Sequence, residues 1–232
     1  MSEKAASREF GADFGTGPLS QVSALVYTLL VTEGLFLVTA VPGLVPLLLL
    51  DRDASNLPLD ALCLVPVGPA VSAALFALHR RQSDATDLHP AATFWRGYRL
   101  NAAASLRVFV PWLVATTMIA MTLAHRHADG VPGWWLVLLV VIAVAATLWL
   151  VNALVIASLF AFRTVDIARL AAYFLGRTPL VTLGNAGVLL GAALITAYGT
   201  EALTALLVSA FGLLLLNSSR AMIEHVRRDF TA

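Results

Sequence analysis

Between Val22 and Leu50, a stretch of about 29 residues, the chain carries one charged side chain, Glu33. Further apolar runs follow at about 57–78, 108–124, 134–160, 180–198 and 202–216. About 20 apolar residues suffice to cross the hydrocarbon of a bilayer, and a water-soluble fold could hide such runs only beneath a polar coat. That coat is missing: 12% of the residues are charged and 59% hydrophobic, with a mean hydropathy of +0.83, where an ordinary soluble domain has about 25% charged residues. The chain therefore reads as an all-α polytopic membrane bundle whose first partner is the lipid bilayer.

The first run is longer than a span needs, and Pro42, Gly43 and Pro46 explain the excess. Each proline removes a backbone donor and crowds the preceding turn, so the helix from about Gln21 is expected to end near Val41, with 43–50 as an extension at the membrane face. Six spans result, at about 21–41, 57–78, 108–124, 134–160, 180–198 and 202–216. Residues 1–19 read as a cytoplasmic tail, 20–220 as one membrane domain and 221–232 as a second cytoplasmic tail. The acidic residues ahead of the first span and its length are unlike a secretory signal, so the span is expected to remain in the mature protein.

Orientation follows from the basic residues, which cytoplasmic loops retain in excess. With the N-terminus inside, the inner set is Lys4, Arg8, Arg80, Arg81, Arg96, Arg99, Arg107, Arg163, Arg169, Arg177, Arg220, Arg227 and Arg228, thirteen in all, against Arg52 and Arg126 outside. Both termini are expected in the cytoplasm. Lys4 is the single lysine among the 15 basic residues; that bias, with the abundance of alanine, is an association with GC-rich bacterial genomes and so with a bacterial plasma membrane. A net charge of +1 with no continuous basic patch gives no sign of nucleic acid. Cys63 has no second thiol to pair with.

Two inner loops are expected to hold short amphipathic helices. In the first, at about 90–105, Pro90 suits the first helical turn after Ser83, Asp84, Thr86 and Asp87. Phe94, Tyr98 and Asn101 share one face there, with Arg96 and Arg99 elsewhere. In the second, at about 164–176, Thr164 is a candidate cap, and Ile167, Leu170, Ala171 and Phe174 make the apolar face. Gly176 and Pro179 then stop the helix. Phe94, Trp95, Arg96, Tyr98, Arg99, Arg169 and Arg177 are the candidates for docking a soluble partner; interfacial packing with snorkelling arginines is the alternative. The repetition of helix, turn and two spans is also a weak internal repeat. Trp95 and Tyr98 inside, and Trp134 and Trp135 outside, fit the headgroup level.

Glu33 is the costly residue, because an ionised carboxylate near the bilayer midplane needs a partner or water. Arg107, Asn152, Ser158 and Asn185 are candidates for that partner. Glu33, Asn152 and Asn185 form the intramembrane polar set. Its functional reading is a proton or cation relay or contact with a polar solute; its structural reading is a protonated Glu33 buried as a packing contact. Asn152, Asn185 and Asn217 are expected to make interhelical or helix-end hydrogen bonds. Gly187 with Gly191, Ala70 with Ala74 and Ala73 with Ala77 have the small-xxx-small spacing of close helix packing, expected within the chain. His125 and His127 flank Arg126 beside Asp129, a pairing that lacks the further ligands a metal would need. No nucleophile elbow and no phosphate-binding Gly-rich loop occurs, so no enzyme activity, cofactor or metal is expected.

The segment Val65–Arg80, with Gly68-Pro69-Ala70 and a basic end, and the segment Ala92–Asn101, with Phe94-Trp95-Arg96, resemble the YesL-like family of bacterial membrane proteins of unknown function. Two departures stand out: residues 43–64 are an insertion relative to the family, and Glu33 lies where many members carry Asn, so the family implies no role for it. Members are typically encoded beside carbohydrate ABC importers and glycan-degrading enzymes, which implies a part in sugar uptake. Ala171-Ala172 with Gly176 lacks the Glu of an importer permease's ATPase-docking loop. The first expectation is thus a non-enzymatic accessory subunit of a carbohydrate ABC importer, in contact with its permease and ATPase subunits. The second is an independent small transporter or channel using Glu33.

Overall fold

The computed structural model describes residues 18–51, 53–83, 89–125, 132–199 and 201–230, and among these every regular element is a helix. The first seventeen residues of the expected N-terminal tail, Arg52, the turn formers Asp84, Thr86 and Asp87, and the loop residues Arg126, His127 and Asp129 lie outside the described residues. In chain order the helices are α1 (Pro18–Leu49), α2 (Leu57–Leu64), α3 (Val67–Ser83), α4 (Pro90–Ala124), α5 (Gly133–Leu159), α6 (Thr164–Arg177), α7 (Pro179–Tyr198), α8 (Glu201–Ala205), α9 (Val208–Ser218) and α10 (Arg220–Phe230). A short 3-10 turn, Ala54–Asn56, precedes α2. Four helices are long and apolar enough to cross a membrane, or five spans if the bent α2–α3 pair is one.

Three boundaries differ from the sequence expectation. Helix α1 does not end near Val41 but runs through Pro42 and Pro46 to Leu49. A proline deletes one bond of the ladder, and apolar surroundings, which offer no water to the flanking backbone, favour keeping the remainder. Residues 90–105 are not a separate helix either: α4 is continuous over 35 residues. The segment Asn101-Ala-Ala-Ala-Ser-Leu-Arg107 between the two expected elements contains no helix breaker. The run 57–78, by contrast, is broken at Val65 and Pro66, with a bend of 41°. Pro66 has no N–H for the turn, and Val65 donates instead to the Leu62 carbonyl at 3.2 Å.

Helix α3 is the central strut, packed on α1, α4, α5 and α9. Ala70, Ala73, Ala74 and Ala77 are all buried on it, which lets neighbouring backbones approach as expected for small residues. Phe94 of α4 packs on Ala73, Ala74 and Ala77. Glycines serve the same seams: a Cβ on Gly97 would come within 2.6 Å of Phe76, and one on Gly68 within 2.7 Å of Phe109. Gly43 lies so close to α2 that a Cβ would overlap the Cys63 carbonyl, an approach only glycine permits.

The densest core lies toward the arginine-bearing end. There α5 is buried continuously from Leu150 to Ser158, although Val137, Val140, Val141 and Val144 nearer its start are exposed. Helix α6 adds Ile167, Ala171 and Phe174 to this core, and α10 adds Met222, Ile223 and Val226. Apart from Ala171, each such side chain taken from water contributes about 1.5–3 kcal/mol. The segment from 221 is therefore not a loose tail through residue 230 but a packed amphipathic helix. Thr164 is the first residue of α6 rather than its cap; the Arg163 carbonyl accepts from the N–H groups of Asp166 and Ile167.

At the opposite end, Asp53 organises the turn before α2. Its carboxylate accepts the Ser55 N–H at 2.8 Å and the Ser55 hydroxyl at 2.6 Å. The Asn56 amide donates to the Asp51 carbonyl at 2.9 Å. Hydrogen bonds from the Ser55 side chain and then its backbone stabilise the ionised form, and hold the Asp53 carboxyl below its ordinary value.

Candidate functional site

The last apolar run, about 202–216, is not one helix. It comprises α8 and α9, interrupted at Leu206 and Leu207. A helix end buried in apolar surroundings exposes N–H groups that need acceptors. The acceptor here is Glu33: its Oε2 takes the N–H of Ser209, in the first turn of α9, at 2.7 Å. The carboxylate thereby sits at the positive end of the α9 dipole. Arg107, one sequence candidate for the partner of Glu33, is exposed instead.

Glu33 is only 7% exposed, and its other oxygen, Oε1, has no hydrogen-bond partner. Beside it in the same turn of α1, Thr32 is fully buried and its Oγ1 is also without a partner. A helical threonine ordinarily turns its hydroxyl to the carbonyl one turn back, as Thr28 does to Ala24 at 2.8 Å and Thr39 to Leu35 at 2.9 Å. Phe36 and Ala40 continue the buried row beyond Thr32 and pack with Ala70 of α3 and Val208 of α9. Glu33 thus has one oxygen fixed by a helix N-terminus and one buried without a partner, and its sequence neighbour Thr32 carries a buried hydroxyl without a partner as well. That arrangement can hold a proton, a small cation or one polar group of a solute.

A second unpartnered hydroxyl, Ser72 Oγ, belongs elsewhere. One turn to either side of it, Gly68 meets Phe109 and Phe76 meets Gly97, which puts Ser72 on the α4 side of α3 and away from α1.

Asn152 and Asn185, expected alongside Glu33, form a cluster of their own. The Asn185 amide donates to Asn152 Oδ1 at 3.1 Å and lies 3.4 Å from Ser219 Oγ, whose hydroxyl is equally placed to donate to Asn185 Oδ1. The Asn152 amide reaches the Ala171 carbonyl at 3.5 Å. These contacts tie α5, α6, α7 and the joint between α9 and α10. Asn217 is exposed and takes no part; Ser219, which sequence reasoning missed, occupies the place expected for it. Ser158 bonds within its own helix, while its carbonyl accepts from Asn101 of α4 at 2.9 Å. In α7 neither Gly187 nor Gly191 has a neighbour within 4 Å of a built Cβ, so they do not mediate the close packing expected within the chain. Gly184, under Ser218, does so instead.

The docking candidates separate into buried and free. Phe94 is fully buried and Tyr98 half-buried against the bundle, so Phe94 offers nothing to a partner. Trp95, Arg96 and Arg99 are exposed and, with Ala92 and Leu100, surround an open hollow of about 590 Å³. Arg169 and Arg177 are exposed on α6, Arg169 on the face opposite Ile167, Ala171 and Phe174 and Arg177 at its flank. Trp134 and Trp135 open α5, exposed and edge to face at 5.6 Å, as interfacial anchors would be. His125 Nδ1 turns back to the Met121 carbonyl at 2.9 Å.

Comparison of the chain with protein-family models, curated proteins and solved structures finds no match.

Proposed function

We propose that this is a bacterial plasma-membrane protein with six crossings and cytoplasmic termini, acting as a small transporter or channel with Glu33 as its intramembrane proton or ion site. Six crossings result when the bent α2–α3 pair and the interrupted α8–α9 segment each count as one, and the thirteen-to-two distribution of basic residues supports the orientation. The observation that carries the functional reading is the divided state of Glu33: Oε2 is held by the Ser209 N–H while Oε1 is buried without a partner. A helix interrupted inside an apolar bundle, with its N-terminus on a functional group, is how membrane transporters build sites from backbone. The test is reconstitution of the purified chain in vesicles under imposed proton and sodium gradients. Flux is expected from the wild type and at least a tenfold loss from Glu33→Gln; equal flux from both would end this reading.

A second reading, the accessory subunit of a carbohydrate ABC importer implied by the YesL-like resemblance, is favoured by the free face of α6. Val165, Arg169, Tyr173 and Arg177 are exposed there, a mixed apolar and cationic row suited to a protein partner. On that reading permease and ATPase chains co-purify with the wild type and with Glu33→Gln, and are lost with Arg169→Glu/Arg177→Glu. Recovery of the chain alone, after crosslinking as well, would end it.

A further inference from the structure

Helix α4 presents one uninterrupted free face along its length. Ala92, Arg96, Arg99, Leu100, Ala103, Arg107, Val110, Val114, Met118 and Met121 recur at spacings of three and four, and every one is exposed. At 100° per residue they occupy a strip about 100° wide. Trp95 borders it at the arginine end, 40% exposed, and α4 contains no acidic residue. From His125 to Arg107 is about 27 Å of helix, close to the thickness of a bilayer's hydrocarbon. Arg99 and Arg96 lie about 12 and 16 Å beyond Arg107, and an arginine stem is long enough to turn its head back along the helix.

From these observations we infer that the arginine end of this face is a binding site for the phosphate headgroup of an anionic phospholipid. Val110, Val114, Met118 and Met121 face outward in the most apolar part of the helix, and Arg107, Arg99 and Arg96 continue the same strip without a break. Whatever acyl chains cover the first set have headgroups at the level of the second. None of the three guanidiniums has an ion pair among the described residues, and guanidinium matches phosphate in a bidentate geometry. Trp95 favours the interface. The hollow of about 590 Å³ between Trp95, Arg96, Arg99 and Leu100 is open, as a headgroup arriving from the bilayer requires.

The test uses the full chain in phosphatidylcholine vesicles doped with either brominated phosphatidylglycerol or brominated phosphatidylcholine. Bromine quenches tryptophan fluorescence at contact, and subtraction of the Trp95→Phe signal isolates Trp95 from the other four tryptophans. Stronger quenching of Trp95 by the anionic lipid is expected, with its preference falling about fivefold per arginine removed in Arg96→Gln and Arg99→Gln. Arg228→Gln, on α10, is the control and leaves the preference intact. Equal quenching by the two lipids overturns the inference. Quenching by neither overturns it too, and marks the face as covered by protein.

Discussion

Two buried polar regions of this bundle contain side chains of similar size and have opposite hydrogen-bond accounts. In the Asn152–Asn185–Ser219 cluster the amides and the hydroxyl face one another across α5, α7 and the α9–α10 joint. At Glu33 the interaction is lopsided: one carboxylate oxygen is held at 2.7 Å by a backbone donor, and the other meets nothing. A satisfied network fixes helix positions and needs no other explanation. An unpartnered buried oxygen is a standing cost, which the proposed role of Glu33 would explain and the asparagine cluster does not carry.

Glu33→Gln is the sharpest way to break this contrast. Glutamine keeps a carbonyl oxygen for the Ser209 N–H but loses the charge, so folding stability should change by less than about 1 kcal/mol. Flux in vesicles should fall at least tenfold. Glu33→Ala, which also removes the acceptor, adds a stability loss of about 1–3 kcal/mol from the orphaned Ser209 N–H. If Glu33→Gln unfolds the protein while sparing flux in the folded fraction, the carboxylate is structural and the two regions are alike.

Asn185→Ala should do the converse. It leaves Asn152 Oδ1 and Ser219 Oγ without their partner and should cost about 2 kcal/mol, read by thermal unfolding in detergent, with flux per folded molecule unchanged. Asn152→Ala removes one bond of 3.1 Å and a weaker one of 3.5 Å, so a loss of about 1 kcal/mol is expected. The double substitution should cost less than the sum, because both remove the same contact. Strict additivity would show that the amides do not interact.

Hydropathy made the membrane bundle legible, because apolar runs of span length have few other uses. It also placed the buried faces of α6 and the alanine row of α3, where periodicity alone decides the matter. The interruption between α8 and α9 had no such signal. Leu206 and Leu207 are good helix formers, and the carboxylate that stabilises the break is 176 residues away in the chain. The choice between Gly184 and the Gly187–Gly191 pair was equally hidden, since which glycine is crowded depends on the rotation of α7 against Ser218. Helix α10 was legible in principle: Met222, Ile223 and Val226 have helical spacing, but its arginines and terminal position gave it the look of a tail.

Asp53 provides the smallest test, a polar group bonded as closely as Glu33 but in contact with solvent. Its folded value is lowered, chiefly by the Ser55 hydroxyl and then the Ser55 N–H, with a lesser contribution from His125. A depressed carboxylate contributes stability that is present above its unfolded value of about 3.9 and is lost as pH falls through the lower folded value. The wild type should therefore exceed Asp53→Asn in unfolding temperature at pH 6 by a small margin, and that margin should shrink steadily as acid is added below about pH 4. Ser55→Ala should shrink it at every pH, since it removes the larger cause. A margin unaffected by acid would mean that the turn is held by geometry rather than charge.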